Sequence, residues 1–162
     1  MPPKIKLLIV DDEISFLNAL ARRLELRGFA VTKAANGEEA IRAVQGEKFD
    51  LALLDLKMPG LDGMEVLRLV KKEHQHLEVI ILTGHGSLDS AVECTRLGAY
   101  GYVPKPYELE QLIKILKDAY EKRIKKKFRM DETKIAEIKK IEAEDSALSA
   151  MHRLKELDDE IR

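Results

Sequence analysis

Three carboxylates, a hydroxyl and an ammonium stand at the ends of apolar runs in this chain, where side chains distant in sequence can be gathered. Ile5–Val10 runs directly into Asp11, Asp12 and Glu13, and Leu51–Leu54 into Asp55. Val79–Leu82 ends in Thr83, and Tyr100–Val103 leads to Lys105-Pro106. If these runs are parallel strands of one sheet, their last residues converge on a single edge. Two carboxylates about 4 Å apart at an effective dielectric near 20 repel by about 4 kcal/mol. A divalent cation relieves that repulsion, and hard oxygen ligands with retained waters suit Mg²⁺. Asp11 and Asp12 would hold the metal, assisted by Asp55. Asp55 could then attack phosphorus as a carboxylate nucleophile, giving an acyl phosphate. Lys105 would neutralise one phosphoryl oxygen and Thr83 would hydrogen-bond another, a chemistry of positioning and electrostatics.

The elements that must position these groups alternate in period. Ile5–Val10 reads as a buried strand, and Ile14, Leu17, Leu20, Ala21 and Leu24 mark one face of a helix that Gly28 can close. Phe29–Ala34 alternates as a second strand; Asn36-Gly37 is a turn before a helix over Glu38–Gln45. After the strand Leu51–Leu54, Pro59-Gly60 breaks the chain and Asp62 can cap a helix running to about Glu73. The strand Val79–Leu82 precedes a helix from about Ser87 to Leu97, and the strand Tyr100–Val103 precedes a fifth helix marked by Leu109, Leu112, Ile113 and Leu116. Five strands alternating with five helices imply an α/β fold, a doubly wound five-stranded parallel sheet with right-handed crossovers. Such sheets bind ligands beyond the carboxyl ends of their strands, at the point where strand order reverses. The acidic residues sit at those ends.

After about Tyr120 the character changes. Residues 121–162 contain no Pro and no Gly, and their charges nearly balance. Ile135, Ile138 and Ile141 form one helical stripe; Leu148, Met151, Leu154, Leu157 and Ile161 form another, with Asp145-Ser146 between them. The expectation is a domain over 1–122 and a helical extension over 123–162, either one long helix, as in a coiled coil, or two helices in a hairpin. The heptad phase breaks between the stripes, which argues against a long regular coiled coil.

Composition sets outer limits. The net charge of −1 gives no general electrostatic reason to expect nucleic acid as a partner. Cys94 stands alone, so no internal disulfide forms and a reducing, cytoplasmic setting is expected. No apolar stretch approaches the length of a membrane span.

The residues Asp11-Asp12, Asp55, Thr83-Gly84 and Lys105-Pro106, in that order, resemble those of the receiver domain of two-component response regulators. The loop from Asp55 through Lys57-Met58-Pro59-Gly60 to Gly63 resembles the loop that follows the phosphorylated aspartate in that family. The resemblance covers about residues 4–122 and implies a flavodoxin-like receiver. It implies that Asp55 is the phosphoacceptor, that a sensor histidine kinase is the donor, and that the chain catalyses only its own phosphoryl transfer and dephosphorylation. It further implies that Asp12 coordinates Mg²⁺ directly and Asp11 mainly through water, and that Lys57 contributes its backbone carbonyl. Tyr102 matches the family's switch aromatic, which turns inward as Thr83 moves toward the phosphoryl group, and the Lys105-Pro106 bond is cis in the family.

Other residues carry weaker signals. Asp11 and Asp12 could simply cap the first helix, and Tyr102 could be a half-buried aromatic on an edge strand. By the resemblance, the side chains at His85 and Lys57 would bear on the lifetime of the phosphoryl group. His74 and His76 do not share a helix face, and His152 lies in the extension. The basic run Lys122–Arg129 reads as a solvated helix face, and DNA binding is not expected of it. The expected output is a protein target or self-association, through the face of the fourth helix, fifth strand and fifth helix and through the C-terminal helix. The alternative is a receiver-fold interaction module controlled without phosphorylation. A small-molecule-binding doubly wound domain resembling flavodoxin would need a Ser/Thr/Gly-rich phosphate loop where Asp11-Asp12-Glu13 stands. A haloacid-dehalogenase-type hydrolase would need an aspartate at Lys57.

Overall fold

The computed structural model describes residues 3–84, 86–143 and 146–160. Five strands, β1 (Lys6–Val10), β2 (Ala30–Ala34), β3 (Leu51–Leu54), β4 (Glu78–Thr83) and β5 (Gly101–Pro104), form one all-parallel sheet in the order β2-β1-β3-β4-β5. Strand order reverses between β1 and β3, because the chain first moves outward to β2 and then crosses back. The three central strands are apolar almost throughout because helices cover both faces. Leu7 and Ile9 face one core layer and Leu8 and Val10 the other, as the two-residue strand period requires.

The crossover helices are α1 (Ile14–Glu25), α2 (Gly37–Gly46), α3 (Gly63–Glu73), α4 (Leu88–Arg96) and α5 (Leu109–Lys127). Local chemistry starts several of them. Asn36 accepts a hydrogen bond from the Glu39 amide, Asp62 from Glu65, and Ser87 exchanges reciprocal bonds with Ser90 in a capping box. On α1, Leu17, Leu20, Ala21 and Leu24 are buried as their spacing predicts, whereas Ile14, in the first turn, is exposed.

The extension does not stand away from this body. α5 runs unbroken through residue 122 to Lys127. Two further helices, α6 (Glu132–Glu142), capped by Asp131, and α7 (Ala147–Asp159), capped by Ser146, then fold back. The break between the two stripes thus separates two helices rather than kinking one; Asp145 itself lies outside the described residues, as does Ile161. Ile138, Ile141, Ala150, Met151, Leu154 and Leu157 are buried in the same cluster as Leu17, Leu24, Leu112 and Leu116. The apolar stripes are therefore satisfied inside the chain. At about 1.5–3 kcal/mol for each large apolar side chain removed from water, this packing is what orders two helices too short to persist alone.

Polar groups lock the extension to the amino edge of the sheet. Asp50, just before β3, accepts hydrogen bonds from the Lys6 amide at 2.9 Å and from Lys155 Nζ of α7 at 3.0 Å. Tyr120 donates to Asp158 Oδ2 at 3.1 Å, and Lys127 pairs with the same carboxylate. Burial raises the Tyr120 phenol far above its ordinary pKa, and the charges of Asp50 and Asp158 add to that, so the hydroxyl remains a donor. Burial would raise the Asp158 carboxyl too, but the Lys127 hydrogen bond and charge, Arg123 and the Tyr120 hydroxyl together hold it below the usual carboxylate range.

Candidate phosphoryl site at the carboxyl edge

Asp11, Asp12, Asp55, Thr83 and Lys105 lie at or just beyond the carboxyl ends of strands, and Tyr102 lies within β5. The Asp11 amide continues the β1–β2 ladder by donating to Ala34 O at 3.1 Å, and the Asp55 amide donates to Val10 O at 3.0 Å. The two backbones therefore arrive side by side at the reversal of strand order. Asp11, Asp12 and Asp55 each offer a carboxylate oxygen within 4.8 Å of the others, an arrangement that could hold a metal ion. Asp11 and Asp55 are buried and Asp12 is exposed.

Lys105 reaches in from the loop after β5. Its ammonium lies 2.6 Å from Asp11 Oδ2 and 3.9 Å from Asp55 Oδ2, with only 15% of the side chain exposed. The Lys105-Pro106 bond is cis. Asp11 Oδ1 also accepts from the Glu13 amide at 2.9 Å, so Asp11 is well partnered. Asp55 is not. Both of its carboxylate oxygens are buried and, among the described residues, neither has a hydrogen-bond partner. A buried carboxylate left in that condition costs on the order of 1–3 kcal/mol or more. The donor set of three carboxylates, beside an unsatisfied pair of oxygens, fits a hard divalent cation such as Mg²⁺.

The loop after Asp55 is held close by glycine. A side chain at Gly63 would run into the Asp55 carbonyl and the Leu56 Cα, and the Gly63 amide donates to Leu56 O at 2.8 Å. Gly60 adopts φ +80, a conformation L side chains rarely take. Lys57 is exposed on this loop.

Thr83, the last residue of β4, is buried and pairs across the sheet with Pro104. Thr83, Tyr102 and Lys105 line one open cavity of about 360 Å³. The Tyr102 ring turns under the loop between β4 and α4, so that a side chain at Gly86 would overlap its hydroxyl. That hydroxyl is buried without a hydrogen-bond partner among the described residues. His85 lies outside the described residues. His74 and His76 are at the opposite edge of the sheet, beside Leu77 and Arg123, and Cys94 is buried against Met64.

One participant was not singled out from the sequence. The Phe16 ring of α1 lies with its centroid 3.9 Å from Lys105 Nζ. The spacing of Leu17, Leu20 and Leu24 assigns the core face of α1, and Phe16 sits beside that face, so periodicity gave no reason to place it at the site.

The fold and this edge together define a doubly wound signalling module with an acidic pocket where strand order reverses. The model of the response regulator receiver domain matches residues 7–117, and the chain belongs to that family. Similar curated proteins include the DNA-binding transcriptional regulator NtrC of Escherichia coli K12, 37% identical over 111 residues. That match covers 68% of this chain and 24% of the relative. The putative response regulator NtrX-like of Rickettsia typhi is 37% identical over 120 residues, covering 73% and 25%. The chain thus spans about a quarter of the length of these relatives. Among solved structures, a CheY-like receiver domain protein from Methanospirillum hungatei is 31% identical with a TM-score of 0.74, covering 76% of this chain and 99% of that one. NtrX from Brucella abortus in complex with ADP is 31% identical with a TM-score of 0.75, covering 80% and 30%. Among the described residues no helix is long and apolar enough to cross a membrane.

Proposed function

We propose that Asp55 accepts a phosphoryl group from a phosphohistidine on a sensor kinase, and that the change is passed to a protein-binding face of this receiver. The observation that carries the reading is the state of Asp55: buried, with both oxygens unpartnered among the described residues, 3.9 Å from an ammonium. A carboxylate oxygen in that position can form a bond to phosphorus while the bond from phosphorus to the donor imidazole breaks and the imidazole leaves with its electron pair. Lys105 exchanges its contact with Asp11 for one with a phosphoryl oxygen. Thr83 donates its hydroxyl to another. Asp12 and Asp11, with Asp55 and the Lys57 backbone carbonyl, are the residues that would hold Mg²⁺. When bound, Mg²⁺ would offset the crowded carboxylates and draw charge from the phosphoryl oxygens. The chain's own chemistry ends there: it transfers and later loses its phosphoryl group and acts on no other substrate.

The switch would use Thr83 and Tyr102, which border one cavity at the end of β4 and on β5. Beside them α4 presents Leu88 and Val92, 79% and 54% exposed. The face made by α4, β5 and α5 is therefore the surface offered to a protein target or to a second copy. α7 has already used its apolar stripe within the chain, so its part in output is to brace α5. The basic run at the end of α5 supports a role other than DNA binding. Lys122 and Lys126 face Glu78, Arg123 faces Asp50, Lys125 faces Glu121 and Glu142, and Lys127 faces Asp158.

Sedimentation with and without beryllofluoride and Mg²⁺ tests the reading, on wild type and Asp55→Ala. A change of mass or shape that Asp55→Ala abolishes is expected. Failure of wild type to bind the mimic would leave the module controlled without phosphorylation.

A further inference from the structure

Lys105 has one neighbour that no carboxylate chemistry explains. Its ammonium touches Asp11 at 2.6 Å, lies 3.9 Å from Asp55, and on a third side meets the Phe16 ring face with 3.9 Å to the centroid. The ring is not loosely placed. Phe16 is half-buried against the core cluster of α1 and α5, and it meets Tyr107 edge-on, with centroids 6.2 Å apart and planes at 83°. Tyr107 follows Lys105-Pro106 in the same loop, so the aromatic pair ties α1 to the segment that carries the lysine. Burial raises the Tyr107 phenol above its ordinary pKa, against the opposing charge of Arg23 and with that of Asp11.

We infer that Phe16 is a positioning residue for phosphoryl transfer, holding the Lys105 ammonium at the site by a cation–π contact while that ammonium changes oxygen partners. The inference rests on the reading of Asp55 as phosphoacceptor. A lysine is a point charge on a flexible four-carbon stem. In the resting chain Asp11 fixes its position, yet Asp11 also belongs to the set of carboxylates that would take a cation. Once Asp11 is so engaged, the ring and the longer contact with Asp55 restrain the ammonium until a phosphoryl oxygen arrives. The attraction between a cation and a ring face requires no particular N–H direction. The ammonium can therefore pivot from Asp11 toward Asp55 without losing it, and the ring keeps water from the third side.

The test is a double-mutant cycle on the full chain, measuring the rate of phosphorylation by a small-molecule acyl phosphate with Mg²⁺. Phe16→Leu keeps apolar bulk and removes the ring, and it should slow the reaction by about three- to thirtyfold, the span of a cation–π contact. Phe16→Tyr should restore the rate. In a Lys105→Met background Phe16→Leu should have no further effect, because the residue it serves is gone. An equal slowing in both backgrounds, or no recovery with Phe16→Tyr, would reduce Phe16 to a packing residue and overturn the inference. If Lys105→Met slows the reaction and Phe16→Leu does not, the inference alone fails. If Lys105→Met itself leaves the rate unchanged, the reading of the site beneath it fails.

Discussion

The two edges of the sheet carry similar side chains in opposite conditions. At each, a buried aspartate meets a lysine from far along the chain: Asp11 and Lys105 at 2.6 Å on the carboxyl edge, Asp50 and Lys155 at 3.0 Å on the amino edge. On the amino edge both aspartates hold hydrogen bonds, Asp50 from a backbone amide and Lys155, Asp158 from Tyr120 and Lys127. The buried Glu78 there is faced by Lys122 and Lys126 but keeps one oxygen without a hydrogen bond among the described residues. On the carboxyl edge a third carboxylate, Asp55, is buried with no hydrogen bond among the described residues. Residue type alone does not separate structure from chemistry here. What separates the aspartates is whether the buried carboxylate has been given hydrogen bonds.

The comparison makes predictions of decreasing size. Asp55→Asn should abolish phosphoryl acceptance while leaving the fold intact, since the substitution removes charge from a buried carboxylate that holds no hydrogen bond among the described residues; phosphorylation and thermal unfolding measured together check this. Lys155→Ala should destabilise by about 3–5 kcal/mol, the usual effect of leaving a buried charge without its partner. Leu154→Ala, at a fully buried position of α7, should cost about 2–5 kcal/mol. Urea unfolding reads both, and a loss near zero in either would mean that the extension is not part of the folded body. Neither should alter the phosphorylation rate, because a strand of five residues separates the edges by roughly 15 Å and distant sites act independently. A changed rate would show that the edges are coupled.

Tyr120→Phe should cost about 1–3 kcal/mol by taking a donor from a buried carboxylate. The smallest effect is on pH. Because the Asp158 carboxyl is held below its ordinary range in the folded chain, its contribution is complete above the unfolded value and is lost as pH falls through the folded one. Acid unfolding of Lys127→Met should show less of that dependence than wild type.

Much of the carboxyl edge was legible because Asp11, Asp55 and Thr83 directly follow apolar runs, with Asp12 and Lys105 one residue further on, so the strands carry them to the edge. The amino edge was not. The stripes Ile135–Ile141 and Leu148–Leu157 say that helices form and that one side must be covered, but hold nothing about what covers it. Asp50, Tyr120, Lys155 and Asp158 are brought together only by the fold-back of α7 onto α5. Phe16 escaped notice for a related reason: its partner Lys105 is distant in sequence, and the ring lies just off the face that the leucines define.

The most direct test is to treat wild type and Asp55→Asn with a small-molecule acyl phosphate and Mg²⁺ and follow intact mass. The account predicts one added phosphoryl group on wild type, labile to hydroxylamine as an acyl phosphate is, and none on the variant. A phosphoryl group that appears equally on Asp55→Asn, or resists hydroxylamine, would contradict it.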